Sequence, residues 1–321
     1  MNKTDQLLNS LNVFIRKAEE DDEKSLVEVI PDFPGLSKIP GYVQEYEKKV
    51  ARFLRRQRKK FLNGLNDFVS KDSKETLEAI LVYFTQNLFA GDDFEEQFRE
   101  LTEGFLQQTI EELASVIMDS LDPEVPFKAI SSRSTKWIKS WSEELAEIMK
   151  LNTHEAVENI LTEAIENGSS IQDIELALRD LPQFDRSRAR TTAITEVLAA
   201  SSAAQQEAYT QSPAVIAKKW RHSGGKKNNP RENHMALDGT VIGVNEEFTI
   251  PGSGETCMHP RDSKLSAKER VNCHCVLSPV VDDSILNLNI FYKESIRNQV
   301  LIDLNKMDFK RKDKISKGII V

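Results

Sequence analysis

Apolar residues recur every three or four positions through most of the first two thirds of the chain, which is the spacing of amphipathic helices. The longest stripe consists of Tyr46, Val50, Phe53, Leu54, Phe61, Leu65 and Phe68. Two shorter stripes follow at 137–148 and 157–165, and Thr153 between them is a credible N-cap. We therefore expect one long helix over 46–68 and two separate helices on either side of Thr153.

Prolines and glycines mark the boundaries of these elements. Three prolines and two glycines lie within 31–41 and predict a linker, because proline is disfavoured in a helix interior. Gly168 follows the stripe at 157–165, where a C-terminal glycine belongs. Ser170 and Asp173 have the spacing of a capping box, so we expect the next short helix to begin there.

After residue 212 the helical spacing ends and short β-type runs replace it. The candidate strands are 215–222, 240–242, 248–250 and 276–281. Asp238-Gly239 is a turn signal before the second run, and Pro279 predicts that the last run is an edge strand. The sequence therefore predicts an α+β fold, in which a long helical N-terminal region is followed by a small mixed α/β domain with short irregular strands.

The same pattern divides the chain into four consecutive segments. We expect a helical region at 1–130, connecting helices at 131–174, the small mixed domain at 175–282 and a basic tail at 283–321. The basic residues of the tail are Lys306, Lys310, Arg311, Lys312, Lys314 and Lys317.

Composition narrows the class of protein. The 321 residues carry a net charge of −8, which argues against a protein that coats nucleic acid over its whole surface. Three cysteines form no secreted-type disulfide framework, so we expect a reducing compartment. No apolar run approaches the length of a membrane span, and the N-terminus lacks the apolar core of a signal peptide. We expect no membrane contact.

A basic cluster lies on the long helix, with no acidic residue among it. Its members are Lys48, Lys49, Arg52, Arg55, Arg56, Arg58, Lys59 and Lys60. They form either a solvated face or a contact surface for DNA phosphates or an acidic neighbour. The acidic stretch 92–122 could pair with them within the fold or between copies. Since no aromatic residues alternate with the basic ones on the polar face, we do not expect base readout.

Thiols and imidazoles concentrate between residues 234 and 275. His234, Cys273 and Cys275 are candidate ligands of a structural zinc ion, with Cys257 or His259 as the fourth, because zinc favours about four nitrogen or sulfur donors. The alternative is that the cysteines are small core residues and that His234 hydrogen-bonds Asp238 or a backbone carbonyl.

Two further interpretations concern charged residues near this region. Arg188 and Glu196 are about two helical turns apart and share a face, which favours a structural ion pair over a site. His234, Asp238 and Glu196, with His259 as a further base, could serve a metal-dependent nuclease or hydrolase. The chain contains no established catalytic spacing for such an enzyme, so we regard this function as the alternative.

One ordered set of residues resembles the head morphogenesis domain of tailed phages, the Mu F-like minor head proteins. The set is Arg188, Thr195, Glu196, Trp220, His234, Asp238, Gly239, Phe248, Asn272, Cys273 and Cys275. The resemblance covers about residues 175–282. The chain departs from the family pattern at Ile194 and His274, where arginine is usual, so chemistry shared through those arginines is not expected here.

The resemblance implies a structural protein of the virion that carries no enzymatic activity. Such a protein is present in few copies, assembles in the host cytoplasm, and binds the portal protein, scaffold or major capsid protein in the capsid interior. It also implies a sequence-independent contact with packaged double-stranded DNA. Some relatives carry a toxin or transferase domain after this one, but the residues beyond 282 are expected to be too few for one.

Overall fold

The computed structural model describes residues 26–71, 77–224 and 230–302. The basic residues at 306–317, which belong to the predicted tail, lie outside these ranges. The fold is α+β, as the sequence predicts, with helices first and short strands after them. Among the described residues, no helix is both long enough and apolar enough to cross a membrane.

Helices make up most of the described chain. In chain order they are α1 (Leu26–Val29), α2 (Ile39–Lys71), α3 (Leu77–Tyr83), α4 (Phe94–Leu121), α5 (Ser132–Asn167), α6 (Ile171–Arg179), α7 (Arg186–Gln211), α8 (Glu232–Ala236), α9 (Ala267–Arg270), α10 (Asp283–Leu286) and α11 (290–302). A π-helical turn at Phe84–Phe89 continues α3, and 3-10 turns lie at Leu36–Lys38 and Pro182–Phe184.

The strands form two small antiparallel sheets. They are β1 (Val215–Arg221), β2 (Val241–Gly243), β3 (Phe248–Thr249), β4 (Thr256–Cys257) and β5 (Val276–Val281). The first sheet has the order β2-β1-β5, with Trp220 opposite Leu277, and the second pairs β3 with β4. Strand β5 therefore lies at a sheet edge, as the proline within it predicts.

Two compact units are built from non-consecutive parts of the chain. Among the described residues, unit 1 contains 43–71, 77–104 and 140–194, and unit 2 contains 26–42, 105–139, 195–224 and 230–302. The four consecutive segments expected from sequence have other boundaries than these units. That division of the chain stays a prediction.

Unit 1 has a core of aromatic and aliphatic side chains from α2, α3, α5 and α6. Its buried members are Phe61, Leu65, Ile80, Phe84, Val157, Leu161, Ala164, Ile174, Leu178, Leu181 and Phe184. Phe61 contacts the rings of Phe84 and Phe184 at centroid distances of 6.1 Å each. The stripe seen in the sequence of α2 is thus the buried face of that helix.

The part of α7 that belongs to unit 2 is buried on all sides, with small residues facing its neighbours. Ala200, Ala204 and Ala208 have no exposed surface. Their size permits the close approach of β5, whose Leu277 receives a hydrogen bond from the hydroxyl of Tyr209 and donates one to Gln205. Tyr209 and Gln205 thus find hydrogen-bond partners inside the protein, whereas the Ser201 hydroxyl has none among the described residues.

Two helix boundaries differ from the sequence prediction. Helix α5 runs without a break through Thr153, whose hydroxyl donates to the Met149 carbonyl one turn earlier instead of capping a new helix. Helix α2 begins at Ile39, so Pro40 and Gly41 lie in its first turn and not in the linker. Proline is tolerated there because the first N–H groups of a helix have no intrahelical partner.

Other local signals are confirmed. Gly168 has φ +63°, the left-handed conformation of a C-terminal glycine, and lies directly after α5. Ser170 and Asp173 form the reciprocal capping box at the start of α6.

Candidate functional site

Three potential metal ligands meet in the interior of unit 2. His234 lies on α8, and Cys273 and Cys275 lie in the segment between α9 and β5. The Nδ1 atom of His234 is 3.6 Å from the Cys273 sulfur and 3.8 Å from the Cys275 sulfur. All three ligand atoms lie within 4.8 Å of one another, and each residue is at most 2% exposed. This group is the metal-ligand set predicted from sequence, without its fourth member.

The backbone around the cysteines adopts uncommon angles. Among the described residues, Arg261 (φ +64°) and Asn272 (φ +55°) are the non-glycine residues with positive φ. Asn272 directly precedes Cys273, and the guanidinium of Arg261 donates to the Cys273 carbonyl and the Ser202 hydroxyl. A left-handed conformation costs roughly 1–2 kcal/mol per residue. Strain of this kind concentrates at functional sites, so the segment is shaped to place the two sulfurs.

Aromatic side chains form one wall of the site. Trp220 on β1 is fully buried and contacts the His234 ring edge-to-face at 5.6 Å and the Phe248 ring at 5.2 Å. The adjacent turn is fixed by Gly239, which has φ +80° and donates its N–H to the Trp220 carbonyl. Trp220, one of the residues that carry the resemblance, therefore packs against the imidazole, and Gly239 fixes the turn beside it.

A carboxylate that the sequence analysis missed holds the other side of the imidazole. Glu269 on α9 is 1% exposed, and its Oε2 lies 2.9 Å from Nε2 of His234. The amide of Asn233 donates to both Glu269 oxygens, at 3.0 and 3.1 Å. No sequence signal identifies Glu269, because a glutamate in a charged stretch resembles any solvated helix residue.

The two thiols have different acidities. A hydrogen bond between the thiols holds the pKa of Cys273 well below its usual range against the effect of burial, and nearby His234 acts in the same direction. Burial raises the pKa of Cys275 well above its usual range. The buried cation of Arg261 favours the thiolate form of both residues. These effects together favour negative charge on the Cys273 sulfur and a neutral thiol at Cys275.

The two residues predicted as a fourth ligand lie outside the group. Cys257 is fully buried on β4 opposite Phe248, and burial raises the pKa of its thiol. His259 donates its Nδ1–H to the Pro260 carbonyl (3.0 Å), and its ring lies 6.0 Å from the Trp137 ring. Burial lowers the pKa of His259, while the nearby Asp262 opposes this effect.

The residues of the nuclease or hydrolase alternative are not brought together as a metal site. Asp238 is exposed and accepts a hydrogen bond from the backbone N–H of His222 at 2.8 Å. Glu196 is 2% exposed, with Arg270 at 3.9 Å. The group that meets at His234 among the described residues contains cysteines and neither of these carboxylates. The geometry favours a closed ligand cluster over a hydrolytic cleft.

Arg188 has other partners than the glutamate expected from sequence. Its guanidinium donates to the Thr153 hydroxyl (3.0 Å), the Gln183 carbonyl (2.9 Å) and the Met149 carbonyl (3.2 Å). Burial lowers the pKa of Arg188 to about 9. The residue therefore ties α7 to α5 within unit 1. Thr195, the neighbour of Glu196, is 6% exposed and packs in the interior.

Half of the basic cluster on α2 makes contacts within unit 1. The side chain of Lys49 pairs with Glu45 (2.7 Å), Arg56 donates to Gln97, Arg58 donates to the Arg179 carbonyl (3.2 Å), and Lys60 pairs with Asp92 (3.2 Å). The Asp92 and Gln97 contacts confirm that the acidic stretch 92–122 meets part of the cluster within the fold. The other half makes no side-chain hydrogen bond or ion pair among the described residues.

The four remaining basic residues form a single exposed row. Lys48, Arg52, Arg55 and Lys59 are all exposed. Their spacing of four, three and four residues places them on one face of α2, over about 16 Å of helix. We call this row the basic stripe. It presents four cations to solvent on a rigid support.

Comparisons with known proteins agree with the family resemblance carried by the ordered set of residues from Arg188 to Cys275. A family model described as "Phage Mu protein F like protein" matches residues 155–278. The chain is 75% identical to the uncharacterized protein YqbB of Bacillus subtilis over 304 residues, which is 95% of this chain and 100% of that protein. No solved structure matches the chain.

A second relative shares a smaller part. The NAD(+)–arginine ADP-ribosyltransferase EFV of Enterococcus faecalis is 31% identical over 169 residues, which is 52% of this chain and 31% of that protein. Since the shared segment is under a third of that protein, the likeness does not carry its activity to this chain. The family match and the full-length relative show that the chain belongs to the phage Mu protein F-like family of head morphogenesis proteins.

Proposed function

We propose that this chain is a minor head protein of a tailed phage or prophage. It is a structural component present in few copies, and it binds the portal protein or the procapsid interior while the head assembles. Scaffold or major capsid protein completes the set of partners. The protein takes part through binding and catalyses no step.

The observation that carries the proposal is the family match over 155–278, which contains α7, β1 and the whole His-Cys-Cys group. The buried ligand group supports a building role, because a site that turns over a substrate needs an open position next to its reacting groups. Glu269 and Trp220 close the imidazole on two sides.

The test uses the phage or prophage that encodes the chain. A tagged copy should purify with procapsids and with mature heads, at few copies per particle by quantitative mass spectrometry. Deleting the gene should lower the yield of DNA-filled heads, and a plasmid copy should restore it. Normal yields of infectious particles after deletion, with the protein absent from purified heads, would refute the assignment.

We further propose that the basic stripe contacts the phosphates of packaged double-stranded DNA. A 16 Å length of duplex carries about ten phosphate charges, so four exposed cations find partners along it in any sequence. The stripe contains no exposed aromatic residue between its cations, which supports phosphate contact without base recognition.

Binding to a duplex of arbitrary sequence, measured at several salt concentrations, tests the stripe. Replacing Lys48, Arg52, Arg55 and Lys59 by glutamine should lower the slope of log affinity against log salt by about 3.6, since each phosphate contact contributes about 0.9. The charge-matched control replaces four dispersed lysines, namely Lys139, Lys219, Lys264 and Lys268. Equal losses in both variants would show that net charge, and not the stripe, governs binding. Loss of portal binding with unchanged DNA binding would assign the stripe to an acidic protein partner.

A further inference from the structure

We propose that His234, Cys273 and Cys275 bind a structural zinc ion, through Nδ1 of the imidazole and the two cysteine sulfurs, and that Glu269 orients the imidazole. Zinc binding would release the two thiol protons and form one Zn–N and two Zn–S bonds, and a water molecule would supply the fourth donor that zinc needs. Cys257 and His259 form no bond to the metal. The inference is independent of the proposed role in head assembly.

The spacing of the ligand atoms carries the proposal. With Zn–S bonds of about 2.3 Å and a Zn–N bond of about 2.0–2.1 Å at tetrahedral angles, a sulfur and a nitrogen ligand lie about 3.6 Å apart. The observed distances from Nδ1 of His234 are 3.6 Å to Cys273 and 3.8 Å to Cys275. The two nitrogen–sulfur separations are therefore those that a zinc ion would impose, and all three ligand atoms lie within 4.8 Å of one another.

A hydrogen-bonded core without metal explains these distances less well. An unprotonated imidazole nitrogen has one lone pair and accepts one S–H bond in good geometry. Here two sulfurs lie at nearly equal distances from the same nitrogen. A single zinc ion bound to all three atoms accounts for both distances.

Glu269 lies where the partner of a zinc-bound histidine usually lies, at ion-pair distance from Nε2 but not in an aligned hydrogen bond. When one imidazole nitrogen binds a metal, the other donates its N–H to a carboxylate, carbonyl or water, which fixes the tautomer and the ring orientation. The Nε2 atom of His234 lies 2.9 Å from Glu269, on the opposite side of the ring from the sulfurs. Asn233 in turn holds both oxygens of that carboxylate.

Charge in the closed site balances when the metal is present. Two thiolates and the Glu269 carboxylate contribute three negative charges, and a zinc ion with the buried Arg261 guanidinium contributes three positive ones. Buried charges are tolerated only when they are compensated in this way. Two thiolates and one imidazole are a donor set that suits zinc over calcium or magnesium.

Zinc content of the full-length protein is the first test. Protein purified under reducing conditions should contain about one zinc per chain. Cys273→Ser and Cys275→Ser should lose most of it, whereas Cys257→Ser, a matched change of a buried cysteine, should keep it. Wild-type protein that neither contains zinc nor takes it up at micromolar concentration would overturn the proposal. Loss of zinc from Cys257→Ser equal to that from Cys273→Ser would overturn the ligand assignment.

A second measurement does not depend on the folding of the serine variants. Cobalt(II) added to metal-depleted wild type should give the intense visible bands of tetrahedral coordination and a thiolate-to-cobalt charge-transfer band in the near ultraviolet. Glu269→Gln should keep these bands but bind zinc about 10–100-fold more weakly in competition with a chelator. The exposed Glu232→Gln on α8 should bind as the wild type does. Octahedral-type weak bands without charge transfer would exclude the sulfur ligands.

Discussion

The pKa of the buried Lys218 gives a direct test of the interior of unit 2. Its side chain has no exposed surface, and its ammonium group donates to the Gln206 side-chain carbonyl (2.8 Å) and the Met258 carbonyl (2.7 Å). It also lies 5.5 Å from the centre of the Phe248 ring. Burial, with a smaller contribution from Arg133, lowers its pKa from 10.5 to about 7. A neutral amine still has the two N–H groups that these two carbonyls need.

The depressed pKa sets the direction and size of a pH effect on stability. In the unfolded chain Lys218 keeps its proton up to about pH 10.5, whereas in the folded chain it loses the proton near pH 7. Stability rises with pH wherever the unfolded state binds more protons, by up to about 1.4 kcal/mol per pH unit for one group. Between pH 7 and 9 the free energy of unfolding should therefore gain about 2 kcal/mol from this residue.

Urea unfolding of wild type and Lys218→Met at pH 7, 8 and 9 measures this gain. The difference in unfolding free energy between the two proteins should grow by about 2 kcal/mol in favour of the wild type across the interval. Lys219→Met, on the same strand with a partly exposed side chain, is the matched control and should show a constant difference. A constant difference for Lys218→Met as well would mean that the buried amine stays protonated, and the reasoning would fail.

Three further substitutions test the helical framework and one turn. Arg188→Met leaves the Thr153 hydroxyl and the Gln183 and Met149 carbonyls without this donor and should cost about 1–3 kcal/mol in urea unfolding. Arg190→Met on the same helix should cost less than about 1 kcal/mol, because its partner Glu47 keeps the ion pair with Arg186. Asp92→Asn should cost roughly 1–3 kcal/mol at neutral pH. Burial opposes the charge of Asp92, but hydrogen bonds from neighbouring basic groups hold its pKa below the usual range. Wild type should therefore lose this contribution as the pH falls towards that lowered pKa, and the variant should not. Gly239→Ala should cost about 1 kcal/mol by thermal unfolding because of its φ of +80°, while Gly41→Ala in the first turn of α2 should not destabilise.

Much of the secondary structure was accessible from sequence because its signals are local. The capping box at Ser170, the glycine at 168 and the proline-containing edge strand each depend on residues close in the chain, and each is confirmed. The prediction of an N-cap at Thr153 was wrong because it, too, used only a local signal. A threonine hydroxyl bonds equally well to a carbonyl one turn earlier, and only the packing of α5 decides between the two outcomes.

The candidate site was accessible only in part. Paired thiols and a histidine are rare residue types, so their proximity could be predicted from composition and order alone. Glu269 and Arg261 could not be found, because their roles depend on burial beside the cysteines and not on any spacing in sequence. The row of Lys48, Arg52, Arg55 and Lys59 was likewise hidden within eight basic residues until the internal partners of the others were known.

The small sheet of unit 2 has a consequence for the role proposed above. One of its outer strands, β2, is only three residues long, and the other, β5, contains Pro279. Short strands and prolines discourage strand-to-strand joining between molecules. Neighbouring copies of the chain would then meet through their helical and charged surfaces, and fibrous stacking through backbone hydrogen bonds would be suppressed.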